Sequence, residues 1–351
     1  MSYLLLKTPI VSIFPPDKPL YEKHQNWTEE TLRFKQEQEN FRDYQYHSFI
    51  GWRSQEKVGT IINVDDHGNR VTVNESSLTP TMTYDFYGGS TIWGFGVSDS
   101  HTIPSQYSAQ GKGIVARNFG EQAYNVRQNL NYFINNVVKE VTGDVVIFYD
   151  GVNDVLHQCR SVNGPFGDAR TGFVREVLSQ VNEEGEINID AIKTRSYLPL
   201  VLQNTSVLME KMFGRNGKKS IQLEITKEYI NKCQHNEFAS LVAESMVRGW
   251  ELASLIAKAN GVKFFAVLQP NPYTSQMPQP FYFEEFHAMI DQVYPAIISK
   301  AQQFDWFIDG STWVENYADL YIDRCCHLNA KGNQLIALEL LRVTQKGIGV
   351  N

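Results

Sequence analysis

The chain contains no long uninterrupted hydrophobic run. None of its apolar stretches approaches the roughly 20 residues a bilayer-spanning helix needs, so no membrane span is expected. It also lacks a G-x-G-x-x-G fingerprint after its first apolar strand and a phosphate-binding P-loop, which argues against a nucleotide- or flavin-binding domain. The G-x-S-x-G nucleophile elbow is missing too, because Ile92 stands where its second glycine would be. Basic charge is in short supply: 32 Lys and Arg face 39 Asp and Glu, a net charge of −7. The electrostatic footprint of a nucleic-acid-binding protein is therefore absent, and no nucleic-acid partner is expected. Cysteine is scarce. Cys159, Cys233, Cys325 and Cys326 form no C-x-x-C pair and no zinc-like spacing with histidine. Cys325 and Cys326 are adjacent, where a mutual disulfide would be strained, and the expectation is reduced thiols. The first 14 residues are mildly apolar but are interrupted by Lys7 and Pro9. Without the basic and long apolar segments of a signal peptide, they point to a cytoplasmic chain.

What the chain does have is material for a large core: 351 residues, 42% hydrophobic and 12% aromatic. That length implies one large domain with insertions, or two domains. Residues 1–80 read as an N-terminal extension. Charge and glutamine dominate 15–45, with a polar run at 29–42 that suits a helix, and two β-rich runs at 59–74 flank Asp66-His67-Gly68-Asn69 as in a hairpin. From residue 81 to 351 the pattern alternates. Apolar strand-like runs at 83–87, 114–119, 144–149, 262–268 and 304–308 alternate with helical stretches at 123–140, 236–260, 284–303 and 329–344. Buried runs alternating with helices indicate a doubly wound α/β fold, a parallel sheet of about five strands covered on both faces. About 155–235 shows no clear strand, and it is read as a helical insertion, a lid or substrate wall.

Ligands of open parallel sheets bind at the carboxyl ends of the strands. Four segments lie there: Gly88-Gly89-Ser90-Thr91, Asn118-Phe119-Gly120-Glu121, Asp150-Gly151-Val152-Asn153-Asp154, and the run from Asp323 to Asn329 that opens the last helix. Together they supply the parts of an acyl-transfer site. Ser90 is the candidate nucleophile, and a serine hydroxyl needs a base to remove its proton. His327 is the candidate base, with Asp323 to orient it. The backbone N–H groups of Ser90 and Gly120 and the side-chain amide of Asn153 are candidate donors to the oxyanion. Asp154 is read as bracing its loop.

These four blocks, in this order, resemble the SGNH (GDSL-like) serine hydrolase superfamily over roughly residues 81–345. The stretch Gly88-Gly89-Ser90-Thr91-Ile92-Trp93-Gly94-Phe95-Gly96-Val97 is similar to the GGST-type first block of a bacterial subgroup. The resemblance implies a flavodoxin-like α/β/α sandwich acting on small or carbohydrate esters, with no cofactor and no metal. It implies removal of an acyl group such as acetyl, or its transfer to another alcohol. Two positions depart from the family pattern: Gly89 replaces the aspartate before the serine, and Asp323 precedes His327 by four residues rather than three. That shifted spacing motivates one further reading, a non-catalytic carbohydrate-binding scaffold.

Overall fold

A computed structural model describes residues 26–38, 44–74, 82–161, 164–168, 231–275 and 283–348. In the main body, strands β3 (Met82–Gly88), β4 (Ile114–Asn118), β5 (Val145–Asp150), β6 (Lys263–Leu268) and β7 (Phe307–Asp309) form one parallel sheet in the order β4-β3-β5-β6-β7. This is the 2-1-3-4-5 order of a flavodoxin-like doubly wound sheet. Every residue of β5 is buried, as expected of a central parallel strand covered on both faces.

The sequence period of two sorts the side chains of β5 between those faces. Val146 and Phe148 join the core beneath α4 (Val126–Val138), α5 (Val152–Cys159), α6 (Asn236–Ala259) and α7 (Glu284–Ala301). Val145, Ile147 and Tyr149 join the core beneath α3 (Ile103–Gln110) and α8 (Ala330–Ile348). The order of the chain reverses at β3: it first steps outward to β4, then crosses to β5 on the other side. A crevice at the carboxyl ends of β3 and β5 follows from that switch, and the one-turn helix α2 (Ser90–Trp93) opens there.

The N-terminal extension begins, within the described residues, with α1 (Glu29–Gln38) and an antiparallel hairpin of β1 (Tyr44–His47) and β2 (Gly51–Ser54). Around Asp66–Asn69, where a hairpin is anticipated, an isolated antiparallel bridge joins Val64 to Arg70, the Asp65 N–H donates to Asn69 O (2.9 Å) and the Val71 N–H to Asn63 O (2.9 Å). Phe34, Ile62 and Val64 from this extension pack with Trp93, Phe95 and Ile322, which flank the serine and histidine segments.

Two fully buried arginines fasten the extension to the main body, Arg53 at the segment after β4 and Arg70 at the segment after Ser90. Arg53 donates to the carbonyls of Phe119 (3.2 Å) and Gly120 (3.3 Å) and to Asn69 Oδ1 (2.7 Å). Arg70 pairs with Asp99 and donates to the carbonyls of Gly94 (3.3 Å), Val97 (3.0 Å) and Ile61 (3.2 Å). Its guanidinium also lies 4.6 Å from the centroid of the Trp93 ring. Truncating one member of a buried ion pair strands the other, so Arg70→Ala is expected to cost about 3–5 kcal/mol. A denaturant midpoint within error of the wild type would contradict that role. Arg70→Lys keeps the charge but not the fork, and is expected to fall between the two.

The cysteines differ from the sequence expectation. Cys159 at the end of α5 and Cys233 in a short 3-10 turn (Lys232–Gln234) form a disulfide across 74 residues, while Cys325 and Cys326 are free. Both bridged residues are fully buried in the core under α6 and α7. Disulfides persist in oxidising compartments, so this bridge runs against the cytoplasmic expectation. It joins the two ends of the expected insertion, most of which, 169–230, lies outside the described residues. Among the described residues no helix is long and apolar enough to cross a membrane.

Candidate active site

Ser90 is the first residue of α2, directly after β3 and Gly89. Its N–H sits in the first turn of a helix, where no intrahelical acceptor exists. His327 lies just ahead of α8, on a segment pinned by two backbone bonds: the Ile322 N–H donates to His327 O (2.9 Å), and the Asn329 N–H to Leu320 O (2.9 Å). The tertiary fold brings His327 Nε2 to 2.6 Å from Ser90 Oγ across 237 residues. On the other side of the ring, His327 Nδ1 lies 2.5 Å from Asp323 Oδ2.

The four-residue spacing of Asp323 and His327 works because the chain turns tightly between them. Asp323 Oδ1 accepts the backbone N–H groups of Cys325 (2.9 Å), Cys326 (3.3 Å) and His327 (3.4 Å). The carboxylate thus organises its own turn with one oxygen and holds the imidazole with the other. An extra residue is absorbed without moving Asp323 out of reach.

Charge and burial shape the protonation of the pair. Burial alone would raise the Asp323 carboxyl, but the charge and hydrogen bond of His327 bring it below its ordinary value. Burial alone would lower His327, but the carboxylate of Asp323, aided by Cys326, pushes it up to about 9. Below that pH the resting imidazole is protonated and must lose a proton before it can accept one from Ser90. Phe95 covers the imidazole, with ring centroids 4.3 Å apart.

Asn153, in the first turn of α5, donates from Nδ2 to the carbonyl of Tyr124 at 2.8 Å. An amide nitrogen carries two hydrogens. One orients the group against Tyr124, and the other is left to donate. A Cβ built on Gly89 would sit 2.4 Å from that nitrogen and 3.2 Å from Tyr124 O. With the Asn153 amide placed as it is here, a side chain at position 89 would press against it, and glycine leaves that room. Asp154 turns the other way and accepts the Val126 N–H at the start of α4 at 3.1 Å, bracing the loop as expected.

Gly120 departs from the sequence reading. Its N–H donates to Asn118 Oδ1 at 3.0 Å, so the donor assigned to the oxyanion already has an internal partner. A Cβ at Gly120 would come within 2.7 Å of Trp93 N and 2.8 Å of Ile92 Cγ2. The glycine is needed for packing against α2. Asn118, at the end of β4, completes the brace by donating from Nδ2 to Ile92 O at 2.8 Å. Sequence reasoning passed over Asn118, although an asparagine closing an apolar strand on the functional rim was a usable signal. Ala123, with φ of 62°, is a non-glycine residue held in left-handed backbone just before Tyr124. Such strain persists where surrounding structure enforces it, and it clusters at functional loops.

Ser90 and His327 each retain 8% of their surface exposure, so little of either side chain is open to solvent. Asp323, His327 and Ser90 form one hydrogen-bonded line, with Asn153 across Gly89 from the serine. Chemically, such a line can move a proton away from a hydroxyl and return it.

No model of a known protein family matches the chain, and no curated protein sequence matches it. Solved structures of similar fold include a carbohydrate acetylesterase family member from Sinorhizobium meliloti (14% identity, 76% of this chain and 99% of that one, TM-score 0.40). A lipolytic protein of the G-D-S-L family from Veillonella parvula (13%, 75% and 98%, 0.41) and an acetylxylan esterase from Geobacillus stearothermophilus (14%, 78% and 97%, 0.39) are also similar. At such identities and TM-scores the likeness leaves function to the side chains described above.

Proposed function

We propose that the chain is a serine-dependent ester hydrolase that removes an acyl group, acetyl in our reading, from a carbohydrate or other small ester. The observation that carries this reading is the continuous line from Asp323 through His327 to Ser90. In this mechanism Ser90 Oγ attacks the ester carbonyl while His327 Nε2 takes the hydroxyl proton. Asp323 stabilises the imidazolium that forms. The Ser90 N–H and the Asn153 amide donate to the oxyanion of the tetrahedral intermediate. Collapse passes the proton from His327 to the departing alcohol and leaves an acyl-serine. Water, deprotonated by the same imidazole, then releases the acid.

An oxyanion donor matters more in the transition state than in the bound substrate. Asn153→Ala is therefore expected to lower kcat by about 10²–10³ with little change in KM. Turnover equal to the wild type would remove Asn153 from the mechanism.

The reading is tested by incubating the protein with a small fluorophosphonate and measuring intact mass, with Ser90→Ala alongside. One adduct on the wild type and none on the variant is expected. No adduct on either protein would favour a non-catalytic, ester- or sugar-binding scaffold. The small exposure of Ser90 and His327 also favours a second reading, in which the acyl-serine passes to an alcohol acceptor rather than to water. An ester panel run with and without acceptor sugars separates hydrolysis from transfer by its products.

A further inference from the structure

The catalytic turn carries two thiols that the proposed mechanism does not use. Cys325 and Cys326 are both buried, and their Sγ atoms lie 2.9 Å apart without a bond between them. Their backbone N–H groups are two of the three that Asp323 Oδ1 accepts. Cys326 Sγ also accepts a hydrogen bond from Thr91 Oγ1 at 3.7 Å, and Thr91 is the residue next to the serine. The pair therefore touches Asp323 at one end of the Asp323–His327–Ser90 line and the chain neighbour of Ser90 at the other.

We propose that Cys325 and Cys326 are an oxidative modification site that takes up small disulfides, and that closing their mutual disulfide turns off the serine. The chemistry is thiol–disulfide exchange. The Cys326 thiolate attacks one sulfur of a small disulfide, forming a mixed disulfide and releasing the first thiol. The Cys325 thiolate then attacks the Cys326 sulfur and releases the second. Two cysteine thiols lose two electrons and two protons, and the small disulfide leaves as two thiols.

Polarity within the pair suits Cys326 as the first attacker. Burial would raise the Cys326 thiol, yet the hydrogen bond from Cys325 and the charge of His327 bring it below its ordinary value. The same hydrogen bond, with burial, holds Cys325 well up.

The ring has consequences for the site. Adjacent Cα atoms are about 3.8 Å apart, closer than the roughly 4.4–6.8 Å usual for bridged cysteines. The peptide between the two residues must reorient to close the ring, and it is the peptide whose N–H faces Asp323. A bond strained in this way is readily reduced, so the change is reversible. A misplacement of about 1 Å at a catalytic group can cost roughly 10²-fold in rate, and a loss of about 10–10²-fold is expected here.

The loss of activity rests on the serine reading above, whereas ring closure does not. The protein is treated with hydroxyethyl disulfide, then with a dithiol reductant. Peptide mass mapping locates new disulfides, and the fluorophosphonate labelling rate is measured at each stage. In the wild type, a disulfide within the peptide holding Cys325 and Cys326 should appear with slowed labelling, and both should reverse. Cys326→Ala lacks the attacking thiol and keeps the Cys159–Cys233 bridge, so its labelling rate should be the same before and after treatment. A 325–326 ring that leaves labelling unchanged would overturn the proposal, as would the absence of any ring. Absence of labelling even in the reduced wild type would instead count against the serine hydrolase reading, while the mapped ring still reports on the thiols.

Discussion

Ser90→Ala is expected to lower kcat by about 10⁶, and His327→Ala by a similar factor, with the double variant hardly worse than either. The reason is geometric. The 2.6 Å contact of Ser90 Oγ with His327 Nε2 makes the two one functional unit. Without the hydroxyl, the base has nothing to activate; without the imidazole, the hydroxyl keeps its proton. Residual activity in each variant should come from the remaining oxyanion donors and substrate binding, and should be alike in all three. Steady-state kinetics on a chromogenic acetyl ester, with fold checked by circular dichroism, provides the measurement. Losses that multiply in the double variant would mean that Ser90 and His327 act independently, contrary to the proposed line.

The second large effect concerns Asp323. Asp323→Asn is nearly isosteric and can still accept the turn N–H groups, but it removes the charge facing Nδ1. A kcat loss of about 10⁴ is expected, because an amide can favour the wrong imidazole tautomer and cannot stabilise the imidazolium. The pH profile separates this from simple misfolding. In the wild type the imidazole is pushed up to about 9, so kcat/KM should climb about tenfold per pH unit below that value and level off above it. The sign follows from the neutral ring being the active base. With the carboxylate gone, the ring loses the charge that raised it, and burial, which lowers it, remains. The profile of Asp323→Asn should therefore level off at a lower pH, nearer or below the ordinary value of about 6.5. A profile unmoved from that of the wild type would show that Asp323 does not tune the base and serves only the turn.

The alternation of apolar runs and helical stretches sufficed to place the parallel sheet, because a strand buried on both faces must be apolar throughout. The run at 144–149 and the fully buried β5 (Val145–Asp150) illustrate this. The helices read at 236–260 and 284–303 became α6 and α7 to within a few residues. That Ser90 and Asn153 open the helices after β3 and β5 was legible for a related reason: once the strands are placed, topology dictates which residues follow their carboxyl ends. The helix α3 was not anticipated, and neither was the hairpin of β1 and β2. The latter is four residues per strand in polar sequence, and it is held in place by contacts such as Trp52 Nε1 to Gln122 O (3.1 Å) rather than by its own pattern.

Sequence alone determined the doubly wound α/β class and the four segments on one rim, because both follow from local periodicity and chain order. Tertiary structure decided what local pattern cannot contain. Whether Asp323 reaches His327 from four residues away depended on the turn its own Oδ1 organises. Whether the Gly120 N–H is open depended on Asn118. The pairing of Cys159 with Cys233 spans 74 residues, and the docking of Arg53 and Arg70 joins segments remote in the chain. Each is a contact between groups whose meeting is set by packing, and spacing in the chain carries no record of it.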